Sequence, residues 1–292
     1  MPYVLKQYEV IKAEKIEDFL VNSANLSETF AHKLLKKCRI VDHKKRRLQK
    51  GQVVKSGYVE ILIFEAITKG LIPLFQTEHF ALFDKPSGLL VHPTTRSTKY
   101  TLLDEIRYQF GDEANLVHRI DAETSGLVLV SKNAYAQYVL QEMFAKKEFV
   151  KKYQAVVENE IKEDILIDKK ISPSNGLIDL KMQTSPKGKE SRTLIHPINY
   201  NKEKNQTLVE AIPYTGRQHQ IRVHLDSIEH RIVGDPIYGL DESFVDDFLN
   251  HKIENNERIK ITGASRLMLH AYYLEFTFLN RTYKFCSKQE FY

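Results

Sequence analysis

Nine consecutive residues, His118-Arg119-Ile120-Asp121-Ala122-Glu123-Thr124-Ser125-Gly126, bring an imidazole, a guanidinium, two carboxylates and two hydroxyls into one short stretch. Such a cluster can do acid–base or nucleophilic work if its carboxylate stays ionised beside a substrate. It can equally be a polar turn whose Asp and Thr hydrogen-bond their own backbone. It is not a phosphoryl-transfer loop. A kinase loop runs H-R-D with an Asn five residues after the Asp, whereas Ile120 separates Arg119 from Asp121 and Gly126 stands at the fifth position. No glycine-rich phosphate loop occurs elsewhere, and Ser125 lacks the G-x-S-x-G setting of an activated serine.

Other polar segments follow a recognisable order. Asp84-Lys85-Pro86-Ser87-Gly88-Leu89 and Val91-His92-Pro93 precede the cluster; Lys152-Tyr153-Gln154-Ala155, Gly216 to His224, Gly234-Asp235-Pro236 and Leu269-His270-Ala271 come after it. Together with His118 to Lys132, these segments closely resemble the motifs of the RluA-type pseudouridine synthases, with Ile120 where Leu is usual. The resemblance implies that Asp121 is the catalytic aspartate, Tyr153 the active-site tyrosine and Arg222 the cation paired with the aspartate. It also implies that Arg119 fills the space left by a flipped base. His118, Thr124 and Arg217 are expected at the substrate, Thr124 and Ser125 chiefly as shapers of the loop. Lys85 reads either as a phosphate contact or as a turn residue.

The implied reaction breaks the bond between uracil N1 and the sugar, turns the base and joins C5 to the same sugar carbon. Nothing enters or leaves, so neither cofactor nor metal is expected. A carboxylate must lie beside the anomeric carbon, either to attack it or to remove a sugar proton, and both routes stay open. Desolvation would neutralise such a carboxylate unless a cation held it ionised, which is the part expected of Arg222. Tyr153 can stack on the extracted base and take part in removing the C5 proton. Base flipping is required because the sugar carbon is inaccessible in a stacked helix. His219 and His224 stand five residues apart, facing different sides of a helix, so they suit hydrogen bonding in core or cleft better than shared metal ligation; His270 reads the same way.

Composition sets the frame for this chemistry. The chain has 292 residues, 42% of them hydrophobic and 28% charged, the balance of a soluble globular protein with one large and one small domain. No apolar run approaches the roughly 18 residues that span a bilayer, and no export signal opens the chain, so the cytoplasm is the expected compartment. Cys38 and Cys286 sit in apolar patterns and read as buried small hydrophobes. The net charge of +5 conceals a segregation: ten Lys or Arg between Lys33 and Lys55 face one acid, Asp42. A patch of that density is the electrostatic footprint of a polyanion binder, and Lys44, Lys45, Arg46 and Arg47 are its centre.

The elements that must position these groups can be read from periodicity. Ile16, Phe19 and Leu20 open a short helix; a second begins after Ser27, with Ala31, Leu34, Leu35 and Cys38 on one stripe, and Tyr58 to Phe64 reads as strand. Two helices, a basic loop and a strand loosely resemble the S-four RNA-binding module, except that Asp42-His43 replaces its usual Asn-Gly turn. From His79 onward strands predominate, with helices from Asn133 and near Gly216 and an exposed connection over 243–263. The expectation is an α+β chain: an S-four-like domain over 1–68, a linker over 69–78, and a mainly antiparallel mixed-sheet synthase domain over 79–292. The expected partner is structured RNA, bound by a monomer away from membranes, with large-subunit ribosomal RNA favoured over transfer RNA. A non-catalytic RNA-binding assembly factor and an Asp-dependent nucleoside hydrolase are the competing readings.

Overall fold

In the computed structural model, which describes residues 3–95 and 98–291, the chain divides into two units: Met1–Lys69 with Pro93–Tyr100, and Gly70–His92 with Thr101–Tyr292. The first runs β1 (Tyr3–Glu9), β2 (Glu14–Lys15), α1 (Ile16–Asp18), a wide helical turn over Phe19–Ser23, α2 (Glu28–Lys36), β3 (Ile40–Asp42), β4 (Val53–Val54) and β5 (Tyr58–Phe64). Strand β5 lies between β1 and β3, antiparallel to both. The Ser27 hydroxyl caps α2 by accepting from the Phe30 N–H at 3.3 Å. Ala31, Leu34 and Leu35 then turn into a core with Ile16, Phe19 and Ile61. Cys38 departs from its expected stripe. The helix ends at Lys36, and Cys38 takes a left-handed φ of 51° that leaves its thiol exposed.

The second unit contains β6 (Phe75–Gln76), β7 (Phe80–Lys85), α3 (Leu102–Phe110), β8 (Asn115–Leu116), β9 (Ser125–Ser131), α4 (Ala134–Ala145) and β10 (Val150–Glu158). There follow β11 (Ile165–Asp168), β12 (Ile171–Pro173), β13 (Met182–Thr184), β14 (Arg192–Asn201), β15 (Gln206–Pro213) and α5 (Gln220–Asp226). The unit closes with α6 (Glu242–Leu249), α7 (Asn255–Thr262), β16 (Leu269–Phe278) and β17 (Arg281–Cys286). Its main sheet has the order β11-β14-β15-β10-β16-β9-β7-β6, with β17 on β16 and β8 on β9. All these pairings are antiparallel except β9 with β16.

Leu127 to Val130 is apolar without interruption because both faces of β9 are covered. Leu127 and Leu129 pack with Phe80, Leu82 and α4, while Val128 and Val130 pack with Ala81, Phe83 and α3. Further along the sheet, Ala155, Val209 and Ala211 receive Ile221 and Leu225 of α5. Gly126 has φ of 110°, and a Cβ there would lie 2.3 Å from the Ala271 carbonyl oxygen. Only glycine lets the strand that follows the Asp121 loop come this close to β16.

Three expectations about the elements need correction. Phe75–Gln76, inside the expected linker, pairs with β7, because Phe75 packs its ring against Phe80, Tyr283 and Phe285. The expected connection over 243–263 instead holds α6 and α7, whose buried Val245 and Arg258 are hidden in a strongly polar composition. Cys286 ends an edge strand with its thiol exposed.

Candidate active site

The loop carrying Asp121 is held by residues outside it. The Lys85 ammonium is fully buried and donates to three carbonyl oxygens: Pro86 at 2.9 Å, Leu89 at 2.8 Å and Ala122 at 2.8 Å. The Gly88 N–H also donates to the Ala122 oxygen at 2.8 Å, and the Ser87 hydroxyl to the Glu123 carbonyl at 2.6 Å. Burial pulls the Lys85 amine down to about 7, against the opposing pull of Asp121 and Glu123. With its three donors taken by carbonyls, Lys85 is a tether for the loop and has no proton to offer a phosphate, which corrects that half of the expectation.

A second tether comes from α7. Arg258 donates through Nη2 to Glu123 Oε2 at 2.6 Å and to the Gly234 carbonyl at 3.0 Å, with its guanidinium over the Phe248 ring. Gly234 has φ of 78° and stands where a Cβ would be 1.8 Å from the Arg266 carbonyl oxygen. One cation thus joins the Asp121 loop to the Gly234-Asp235 turn.

Arg222 is brought to Asp121 as expected, but Asp121 is not its main partner. Its Nε and Nη2 form a fork on Asp235, both bonds 2.8 Å, while Nη1 reaches Asp121 Oδ2 at 3.3 Å. Asp235 is itself buried and accepts from the N–H groups of Ile237 at 2.9 Å and Tyr238 at 3.2 Å. The Arg222 charge and these bonds hold Asp235 below the ordinary carboxylate range, although burial opposes them. The fork fixes the plane of the guanidinium and leaves Nη1 aimed at Asp121.

Asp121 keeps 28% side-chain exposure, and among the described residues its Oδ1 accepts no hydrogen bond. One oxygen is anchored and the other is available, the condition needed for attack on carbon or for taking a proton. His219 lies on the same side, Nε2 to Oδ2 3.9 Å. Tyr238 accepts from the Met182 N–H at 3.0 Å, and its hydroxyl shares a hydrogen bond with His219 Nδ1 at 2.8 Å. Burial, reinforced by Arg222, depresses His219 to about 4, so the ring is neutral at physiological pH.

Tyr153 lies half-buried on β10 between Ile120 and the α5 side of the sheet. Desolvation, and secondarily the Asp121 charge, raise its phenol well above the ordinary value, so it stays protonated. An extra residue in β16 shifts the register between Lys152 and Tyr153, a bulge of the kind that aims side chains at sites.

The other expected site residues separate into two groups. Arg119 and Arg217 are exposed; Arg119 Nη1 is 2.6 Å from His92 Nε2, and Arg217 Nε donates to the Glu190 carbonyl at 3.0 Å. His118 and Thr124 turn inward. His118 accepts from the Leu129 N–H at 3.0 Å and stacks on Phe144, and Thr124 is 2% exposed, so both shape the loop. His224 bonds Thr193 and the Lys169 carbonyl, and His270 bonds Ser125, which makes both of them framework residues. Among the described residues no group of three or more His, Cys, Asp or Glu could hold a metal, and no helix is long and apolar enough to cross a membrane. Asp235 and Arg258 are site residues without an expected role from the motifs. Asp235 was in view within a matched segment, whereas nothing local marked Arg258.

A mainly antiparallel mixed sheet thus carries an accessible aspartate, a fixed arginine and a protonated tyrosine, a set able to do nucleophilic or proton-transfer chemistry. Residues 79–227 match the family model described as RNA pseudouridylate synthase. A Helicobacter pylori relative named as an uncharacterized RNA pseudouridine synthase is 37% identical over 290 residues, 98% of this chain and 94% of that protein. Ribosomal large subunit pseudouridine synthase D of Zymomonas mobilis is 33% identical over 180 residues, 58% of this chain and 56% of that one. The solved human RNA pseudouridylate synthase domain containing 4 is similar at TM-score 0.56 and 25% identity, covering 75% of this chain and 88% of its own. The chain belongs to the RNA pseudouridylate synthase family and is a pseudouridine synthase, an isomerase.

Proposed function

We propose that this enzyme converts uridines of large-subunit ribosomal RNA to pseudouridine, with Asp121 as the group that acts on the sugar carbon of an everted nucleotide. The observation that carries the site is the unoccupied Oδ1 of a carboxylate whose other oxygen is held by Arg222. Tyr153 supplies the ring on which uracil stacks, and its phenol, which feels the Asp121 charge, takes part in the transfer of the C5 proton. Arg119, exposed on the same loop, takes the space vacated by the base, and Arg217 contacts the backbone. The relative from Zymomonas mobilis, named for the ribosomal large subunit, supports that target. So does the basic arm: residues 1–68 act as an S-four-like RNA-binding module, and 79–292 as the catalytic domain. Lys44, Lys45, Arg46 and Arg47 are all exposed there for phosphate contact. The decisive experiment maps pseudouridines in ribosomal and transfer RNA from cells with and without the protein. Loss of positions in large-subunit RNA is the expected result; loss confined to transfer RNA would replace the substrate assignment.

A further inference from the structure

Two adjacent lysines on β10 have opposite surroundings. Lys152 reaches across the sheet to Glu210, Nζ to Oε1 3.2 Å. Lys151 takes the other face of the strand, the face of Tyr153 and Ala155 on which Ile221 of α5 packs. Its Nζ stands 5.4 Å from the centre of the Phe144 ring, and that ring stacks on His118. Burial holds the amine below the ordinary lysine range, and no acid offsets the loss of hydration. His118 offers no compensation, since burial and the lysine charge depress it to about 3. The space in front of the ammonium is bounded by the turn that carries Arg217. A side chain at Gly216 would meet nothing within 4 Å except Lys151 Nζ, at 3.9 Å. Gly216 has no left-handed φ, so the glycine provides room and not a special backbone shape.

A half-buried cation with no counter-charge weakens the fold, and such groups concentrate where a ligand supplies the missing charge. We propose that Lys151 binds a backbone phosphate of the RNA next to the everted uridine, with Gly216 leaving room for the phosphate oxygens. The placement next to uridine rests on the reading of Asp121 and Tyr153 as the base site.

The test is RNA binding by the full chain across a salt series, for wild type, Lys151→Met, Lys151→Arg and Gly216→Val. Lys151→Met should weaken binding about tenfold and reduce the slope of log affinity against log salt by about 0.7 to 0.9, one phosphate contact. Its thermal midpoint should hold or rise, since a methionine removes an uncompensated charge at similar volume. Lys151→Arg should keep the slope, and Gly216→Val should weaken binding with the charge intact. Inorganic phosphate at millimolar concentration should weaken RNA binding by wild type no more than chloride at equal ionic strength. Specific competition that Lys151→Met abolishes would make the site one for free anions and overturn the RNA-phosphate assignment. An unchanged slope and affinity in Lys151→Met, or a lowered midpoint with binding intact, would make Lys151 structural and overturn the proposal. A Lys151-dependent slope in a wild-type protein that forms no pseudouridine would sink the functional reading and leave the phosphate contact standing.

Discussion

Two loops in this chain are built around an aspartate and its neighbouring arginine, and they use the carboxylate in opposite ways. In the basic arm, Asp42 is 7% exposed and accepts from the N–H groups of Lys44 and Arg46, both at 2.9 Å, and from Arg46 Nε at 2.8 Å. Its lone pairs go to folding its own turn, with Lys45 in the left-handed region at φ 61°. In the synthase unit, Asp121 does none of this work. Lys85, Ser87, Gly88 and Arg258 hold its loop through Ala122 and Glu123, and Arg222 is held by Asp235. A carboxylate consumed by its own turn has no lone pair left for a substrate; one whose loop is held from outside does.

Exchanging each aspartate for asparagine breaks this contrast most directly. If Asp121 acts on the sugar carbon as proposed, Asp121→Asn should lower pseudouridine formation by at least about a thousandfold while RNA affinity stays near wild type, because it removes the carboxylate and no tether. Full product formation by that variant, measured by pseudouridine mapping, would return Asp121 to the status of a polar turn. Asp42→Asn should leave turnover at saturating RNA near wild type and weaken RNA binding, since the turn presenting Lys44 to Arg47 loses its organiser.

Removing a buried partner tests the frame rather than the reacting group. Asp235→Ala strands Arg222 without its fork and should cost roughly 3–5 kcal/mol in denaturant unfolding, together with most of the activity. A stability change under about 1 kcal/mol would mean the fork is not what fixes Arg222.

Acid stability sharpens the picture of His219. Its ordinary value is 6.5 and its folded value about 4, so as pH falls the unfolded chain takes up the proton first. The stability it contributes is complete above 6.5 and is lost between 6.5 and about 4. The loss amounts to roughly 3 kcal/mol for a group this buried. His219→Gln should flatten the unfolding midpoint across that window; a wild type already flat there would count against a neutral buried ring.

The smallest effects belong to the arm. Replacing Lys44, Lys45, Arg46 and Arg47 with Ala should reduce affinity and the salt slope while turnover at saturating RNA persists. Lys45 is paired with Glu60 and Arg46 with Asp42, so Lys44→Ala with Arg47→Ala should account for most of the slope change. An equal contribution from all four would show that those ion pairs give way to RNA.

Local order was legible wherever a residue's role is set by near neighbours in the chain. The Ser27 cap, the α2 stripe as far as Leu35, the uninterrupted β9 run and the start of α4 at Asn133 all follow from spacing. Cys38 leaves its stripe because periodicity predicts no left-handed residue after the helix, and α6 and α7 are hidden in the sequence because their buried contacts are few and lie between charges. At the site, the ordered motifs singled out Asp121 and Arg222, which the fold brings to 3.3 Å of each other. The part played by Lys85 was not legible, since a lysine beside Pro and Gly looks the same whether its amine meets water or three carbonyls.

The order of the candidate site residues along the chain, the segregation of positive charge into 33–55 and the apolar runs of the buried strands are therefore present in residue type and spacing alone. Which carboxylate is spent on structure and which is left with a vacant oxygen was decided only when distant segments met. Arg222 finds Asp235 13 residues away and Asp121 101 residues away, and Arg258 finds Glu123 across 135. Linear spacing carries no record of such partners, because the low-dielectric contact that selects them exists only once the sheet has closed around it.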